Sequence, residues 1–355
     1  MLNSLQKEVD AILIWNAGRP DPNFFYVTDY TSGLFEGSIA ILHRDDELDV
    51  FTSPLEEELA RRADANVRVL NSRDDAELAS ALNDSLSNAS SVGVNEDALS
   101  HSAYTKLCRL LKDKSITDVS SAFARARWVK DPDERERIAK AAAITSGALE
   151  RVPQLVKEGM TEKALQAEIE YWFVRAGADG PAFSSIVAFG ENSALPHYFS
   201  GDRTLAAGDT ILCDVGARYK LYCADMTRTF FFRRANEYQR EMYAKVKEAQ
   251  DAAFSLLKDG AGSASVHKAA EDIIDNSSFR GGFIHGLGHS LGIEVHDGYG
   301  MGKKTKEKLV AGAVVTVEPG IYVPGKGGVR IEDDVAITQD SFEFLTKAER
   351  ELMVI

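Results

Sequence analysis

The sequence predicts an α/β (α+β) protein in two parts: a small mixed-sheet α/β domain, then a larger domain of capped helices and antiparallel strands. Three observations predict it. The chain has 355 residues, beyond the size at which a single core usually stops growing. Its first third alternates short apolar runs with helical patterns, as a small α/β unit does. The rest carries long helices with clear start signals, interleaved with hairpin-like segments.

In the first part the expected strands are AILIW (11–15), FFYVT (24–28), SIAILH (38–43), LDVFT (48–52), VRVL (67–70) and SVGV (91–94). Helices are expected over 55–63, 75–87 and 100–112. Short links make the opening strands antiparallel, and the later ones alternate with helices as parallel units do. No phosphate-binding glycine loop is present in this part. Its bounds are set at 1–120, with a linker over 121–128 and the larger domain over 129–355.

The larger domain opens on RWVKDPDERERIAKAAAITSGALERV. Asp131 is a good N-cap, Pro132 suits the first helical position, and Glu134 falls three residues after the cap. Positions 138, 141, 142, 145, 148, 149 and 152, apolar except for Thr145, then trace a helical face. A second helix follows Thr161. A third runs from the Asn236 cap to Gly260, and a fourth follows Ser265. Strand-like segments occupy 183–189, 209–216, 221–233, 284–296, 313–323 and 329–338. No fixed-period repeat and no low-complexity tract occurs.

Composition excludes several function classes. Lys and Arg number 41 against 55 Asp and Glu, a formal net charge of −14. A nucleic-acid binder would show a basic stripe. No apolar run approaches the ~18 residues a membrane helix needs, and the N-terminus lacks the pattern of a signal peptide. Cys108, Cys213 and Cys223 form no CxxC pair; an odd, sparse count points to reduced thiols. The expectation is a soluble protein of the cytoplasm, with no nucleic-acid or membrane partner.

The stretch LCDVGARYKLYCADMTRTFFF, residues 212–232, reads as a hairpin with an aspartate in each arm. Aspartate is depleted in strand interiors. If the turn is centred between Tyr219 and Lys220, Asp214 and Asp225 stand directly opposite, with Cβ atoms roughly 5 Å apart. VVTVEPGIYVPGKGGVRIEDDVAI repeats the device. Around a turn at Gly325, Lys326 and Gly327, Glu318 and Glu332 are opposed. Carboxylates that close repel unless they share a cation or a proton. A single such pair could be an edge feature; two pairs beside a histidine cluster point to a site.

The cluster is FIHGLGHSLGIEVHDG, with His285, His289 and His296. Gly286, Gly288 and Gly292 argue against a zinc-binding helix and read as backbone that must approach a bound group. His43, His101 and His267 are placed as structural. Four carboxylates and one imidazole make a dinuclear site with hard donors, suited to Mn2+ or Co2+ and also to Fe2+ or Zn2+. Four carboxylates balance two divalent ions in charge. A bridging water can then lose a proton near neutral pH and act as nucleophile.

At these residues the sequence resembles the pita-bread metallopeptidases: prolidase, aminopeptidase P, methionine aminopeptidase and the metal-free creatinase. LPHYFSGDRTLAAGDTILCDVGARYKLYCADMTRTF, HGLGHSLGIEVHD, VEPGIYVP and GGVRIEDD carry the resemblance, which spans nearly the whole chain. It implies a creatinase-like N-terminal domain followed by a pita-bread catalytic domain. It implies that Asp214 binds one metal, that His289 and Glu318 bind the other, and that Asp225 and Glu332 bridge the two. His197, His285 and His296 match active-site histidines that are not ligands. His296 would stabilise the tetrahedral intermediate, and His285 and His197 would lie toward the proline side of the substrate. Glu318 would also shuttle a proton to the leaving nitrogen. Arg330 and Tyr322 match second-layer or substrate-contacting positions, and for Arg330 a plain ion pair could coexist with that role. Ser290 stands where many members have glycine and Asp297 where many have glutamate.

The activity so implied is a two-metal exopeptidase that cleaves the Xaa-Pro bond of dipeptides, acting as a homodimer on small peptides. The roughly 120 residues ahead of the linker set the chain apart from methionine aminopeptidases. Its five intact ligand positions set it apart from creatinase. Aminopeptidase P, acting on longer Xaa-Pro peptides, is the nearest alternative. A dipeptidase without proline preference and an inactive binding relative are more remote.

Overall fold

The computed structural model describes residues 9–70 and 74–355. The chain forms two compact units, Met1–Ala126 and Arg127–Ile355.

In the first unit the strands are β1 (Ala11–Trp15), β2 (Ile39–His43), β3 (Leu48–Thr52), β4 (Asn66–Val69), β5 (Ser91–Val94) and β6 (Ser115–Asp118), ordered β4-β3-β2-β1-β5-β6. β1–β2 and β2–β3 are antiparallel; the other pairings are parallel. Both faces are covered, so β1 is buried throughout. Ala11, Leu13 and Trp15 pack with Leu78, Leu82 and Leu107. Ile12 and Ile14 point the other way, to Phe24, Phe35 and Phe123. This is the period-two alternation of a strand between two layers.

One expected strand is wrong. FFYVT lies in a helix, α1 (Pro22–Thr28). Asp21 caps it by accepting from the Asn23 N–H, Pro22 takes the first turn, and Asp29 closes it at φ 53°. This start signal overrides the strand propensity of the aromatic run. α2 (Asp75–Ser85) and α3 (His101–Leu110) fall within their expected windows. Residues 121–128, read as a linker, are helical through α4 (Ser120–Ala126), where Phe123 and Ala126 are buried in the first unit.

The second unit begins with α5 (Pro132–Leu149), whose capping box joins Asp131 and Glu134. Ile138, Ala141, Ala142, Thr145, Ala148 and Leu149 form its buried face. α6 (Glu162–Arg175) follows the Thr161 cap. Next come β7 (Ile186–Phe189), β8 (Thr210–Val215), β9 (Ala217–Tyr219), β10 (Tyr222–Cys223) and β11 (Met226–Phe231). α7 (Glu237–Phe254) has the Asn236–Gln239 capping box but stops short of Gly260, and α8 (Ser263–Asp275) starts before Ser265. β12 (Gly288–His289), β13 (Val314–Val317), β14 (Gly320–Val323), β15 (Gly327–Arg330) and β16 (Asp333–Ile337) complete the part that carries the site. Of the expected strand 284–296 only β12 is regular.

Two registers position the carboxylates. In the first hairpin Asp214 is opposite Thr227, not Asp225. Arg218 pairs Cys223 and Tyr219 pairs Tyr222, so the turn is at Lys220 and Leu221. Both turn residues have positive φ, 45° and 77°, a conformation that neither residue type signals in sequence. A shift of two positions keeps a side chain on its face, so Asp225 remains a diagonal neighbour of Asp214. In the second hairpin the expected register holds. Gly320 pairs Arg330 and Val317 pairs Asp333, which places Glu318 and Glu332 at one level, in the gap between β13–β16 and β14–β15.

Candidate metal centre

Asp214 is the next-to-last residue of β8, and Asp225 immediately precedes β11. The backbone N–H of Asp225 donates to the buried Asp334 carboxylate at 2.9 Å. Glu332 is fixed by its N–H to Thr227 O at 3.1 Å and by the Thr227 hydroxyl, which donates to its Oε2 at 2.6 Å. Glu318 is fixed by its N–H to Leu287 O at 2.8 Å. Asp214, Asp225, Glu318, Glu332 and His289 all line one cavity of about 430 Å³. Ligand atoms of Asp225, His289 and Glu332 lie within 4.8 Å of one another.

The donor chemistry fits cations. His289 Nδ1 lies 3.2 Å from Ser290 O. A carbonyl only accepts, so Nδ1 carries the hydrogen and Nε2 the lone pair. That lone pair is 3.5 Å from Glu318 Oε1 and 3.6 Å from Asp225 Oδ2. Acceptors therefore converge on acceptors. Oδ1 of Asp214 and Oδ1 of Asp225 are buried and have no hydrogen-bond partner among the described residues. Burial and the neighbouring carboxylates push Asp225 and Glu318 well above the usual carboxylate range, and Glu332 up to about 8. Burial pushes His289 down to about 3, so it stays neutral, as a metal ligand must be. Such a cluster calls for positive charge at its centre.

A second chain of contacts flanks the carboxylates. Arg330, buried, donates to Asp214 Oδ2, to Tyr322 Oη at 2.7 Å, and through Nε to Thr227 Oγ1 at 3.0 Å. Tyr322 then donates to His285 Nε2 at 2.9 Å, because His285 Nδ1 is committed to Gly286 O at 2.7 Å. Burial and the Arg330 charge push His285 down to about 4. His285 and Arg330 line the cavity, whereas the Tyr322 ring stands behind them.

His296 and His197 also line the cavity, and both are exposed. The His296 ring meets His289 edge-on at 4.1 Å. His197 rides on a loop clamped by Glu162. Its Oε1 accepts from Phe189 N (2.8 Å) and Asn192 Nδ2 (2.9 Å), and its Oε2 from Tyr198 Oη (2.8 Å) and Gly201 N (2.9 Å). Phe183, Ile186, Pro196 and Val295 supply an apolar wall.

Every residue singled out from the sequence falls in or against this cavity. Others that were not singled out contribute to it. Thr227 ties Arg330 to Glu332, and Asp334 holds Asp225; Phe183 and Val295 give the wall its bulk. Thr227 was legible as the next inward position of the stripe 225, 227, 229. Gly286 and Gly288 line the cavity, and close packing of the protein on itself adds a second demand for glycine in this segment. A Cβ on Gly288 would lie 2.0 Å from Thr316 O, and one on Gly292 would lie 1.9 Å from Asp297 Oδ2. They let protein segments approach each other.

Fold and donor set together define a metallohydrolase. Residues 136–339 match metallopeptidase family M24, and residues 5–129 match the creatinase/prolidase N-terminal domain. The chain belongs to metallopeptidase family M24, and its second unit has the pita-bread fold. It is 35% identical to the Xaa-Pro dipeptidase of Pyrococcus furiosus, covering 99% of both chains. Among solved structures it is similar to the X-Pro aminopeptidase of Thermotoga maritima MSB8 (TM-score 0.91, 32% identity, 100% of this chain and 98% of that one). The prolidase of Pyrococcus horikoshii OT3 is close behind (TM-score 0.90, 31% identity, 99% and 98%).

Proposed function

We propose that the protein is an Xaa-Pro dipeptidase. The observation that carries this reading is the convergence of the unprotonated His289 Nε2 with Asp225 and Glu318 in a cavity also lined by Asp214 and Glu332. Near full-length similarity to an Xaa-Pro dipeptidase supports the substrate class.

Asp214 would hold one divalent ion, His289 and Glu318 a second, with Asp225 and Glu332 shared. Mn2+ or Co2+ suits the hard donors best, with Zn2+ or Fe2+ as alternatives. Ions held there would supply Lewis acidity toward the scissile carbonyl and toward water. The chain's own residues supply the rest. Glu318, which lines the cavity beside His289, would take the proton of the attacking water and pass it to the proline nitrogen. That nitrogen carries no hydrogen of its own and cannot leave unprotonated. His296 faces the cavity beside His289 and steadies the carbonyl oxygen as charge develops on it. His285, neutral and oriented by Tyr322, and His197 border the proline side. Arg330 keeps Asp214 in place and presents its edge to the cavity, and Tyr322 acts through both neighbours. Catalysis belongs to the second unit. A homodimer in a reducing cytoplasm completes the reading; the three free thiols are consistent with that compartment.

The similarity to an X-Pro aminopeptidase favours a second reading, release of the first residue from longer peptides. A metal-reconstituted assay on Leu-Pro and Leu-Pro-Gly, with a chelated control, decides. Preference for Leu-Pro supports the dipeptidase. Preference for the tripeptide replaces it with the aminopeptidase, and failure on both with two metals bound removes proline specificity.

A further inference from the structure

Residues 291–299 form neither helix nor strand, yet they must present His296 to the cavity. His296 is exposed, and its neighbour Asp297 is 1% exposed. The Asp297 carboxylate is gripped from both sides. Arg127 Nε is 2.8 Å from its Oδ1, and Lys130 Nζ donates to its Oδ2 at 3.2 Å. The Lys130 side chain has no solvent exposure. Arg127 also donates to Glu294 at 2.8 Å, on the near side of the same loop. Between the two cations, Trp128 packs on Tyr299 with centroids 4.5 Å apart. The RWVK segment is itself anchored, with Lys130 N bonded to Gly312 O at 3.0 Å and Val129 bridged to Ala313.

We propose that Asp297, held by Arg127 and Lys130, is the positioning residue for His296. A buried ion cluster contributes little net stability over an apolar replacement, because each charge loses its hydration. What it does provide is a fixed location. One planar peptide unit separates the two Cα atoms, about 3.8 Å apart, so pinning Asp297 fixes the direction from which the His296 ring leaves the chain. The Asp297 backbone is pinned as well: its N–H donates to Ser290 O at 2.9 Å, and its carbonyl accepts from the Ser290 hydroxyl. Gly292 lies against Oδ2 so closely that any side chain there would displace the carboxylate. The four residues that open the second unit therefore brace the loop that carries a group facing the substrate.

This inference rests on the reading of His296 as that group. The test is a cycle between Lys130→Met/Asp297→Leu, which removes one buried charge of each sign, and His296→Ala. In the intact background the pair should lower kcat on Leu-Pro by about a hundredfold, the scale of an ångström-level misplacement, with metal content and KM little changed. In the His296→Ala background it should cost less than about twofold. Equal losses in both backgrounds would overturn the proposal and leave a purely structural cluster. Asp297→Asn, which keeps the shape and an acceptor, gives the same comparison if the double change does not fold. A crystal structure of either variant reads the positioning without activity. A His296 ring still 4.1 Å from His289 would sink the idea even if the wild-type protein cleaved no proline dipeptide.

Discussion

Arg228 and Asp333 form an ion pair at 2.7 Å with both side chains 2% exposed. Arg228 sits between Thr227 and Thr229 but points to the opposite side, and every donor is used. Nε goes to Glu349 O, Nη1 to the carbonyls of Thr227 and Glu332, and Nη2 to Asp333 and Ala348 O. Asp333 is completed by Thr346 and by Gln250, which also caps the carbonyls of Val317 and Ile331. The network thus ties down the backbone beside Glu318 and Glu332 from behind. Arg228→Met strands the Asp333 charge, and breaking a buried pair from one side costs about 3–5 kcal/mol. Urea titration of the metal-free protein should show that loss, and Arg228→Met/Asp333→Leu should recover part of it. A single variant within 1 kcal/mol of wild type, on the order of a surface change, would contradict the network's weight.

The converging acceptors predict a structure that ions stabilise. Ions that bind only the folded chain add about 2.7 kcal/mol at a hundredfold excess over Kd. Thermal unfolding should shift downward on chelation and return with Mn2+ or Co2+. Asp225→Asn, which removes a shared ligand, should flatten that dependence. A melting temperature indifferent to chelator in a protein shown to be metal-loaded would mean that the carboxylates do not need the cation.

Much of this was legible, and the failures have physical causes. Glu318 and Glu332 were placed correctly because Gly325 and Gly327 announce their turn. The first hairpin was misplaced by two positions because Lys220 and Leu221 make a left-handed turn without glycine or asparagine. The error did no harm to the site, since strand faces repeat every two residues. FFYVT was misread because aromatic propensity was weighed above the Asp21-Pro22 start signal. The contacts of Asp334 and Asp297 could not be read: each meets a residue distant in sequence, Asp225 for one and Arg127 for the other.

Cys213 and Cys223 are buried among the ligand strands, with no exposed surface, and Cys108 is half-buried in the first unit. Access controls thiol reactivity as much as ionisation does. Ellman's reagent should therefore titrate one thiol in the native protein and three in guanidinium, with Cys108→Ser abolishing the native reaction. A second fast thiol would show that the strands around Asp214 or Asp225 open readily.

His267 on α8 is buried, and its Nδ1 has no hydrogen-bond partner among the described residues. Its ring packs 5.3 Å from Phe283, and Glu271 Oε1 stands 3.9 Å from its Nε2. Burial lowers its pKa; Glu271 opposes the shift, and Lys303, paired to Glu271, adds to it. The folded pKa thus lies below the unfolded value of about 6.5. Between the two, the unfolded chain binds the proton and the folded chain does not, so stability is full above about pH 6.5 and falls as pH drops toward the folded pKa. His267→Phe removes this proton uptake. Its unfolding free energy, measured by urea titration from pH 7.5 to 5, should decline less steeply than that of the wild type. Parallel slopes would mean that His267 takes up its proton equally in both states and that the pocket beside Phe283 admits water.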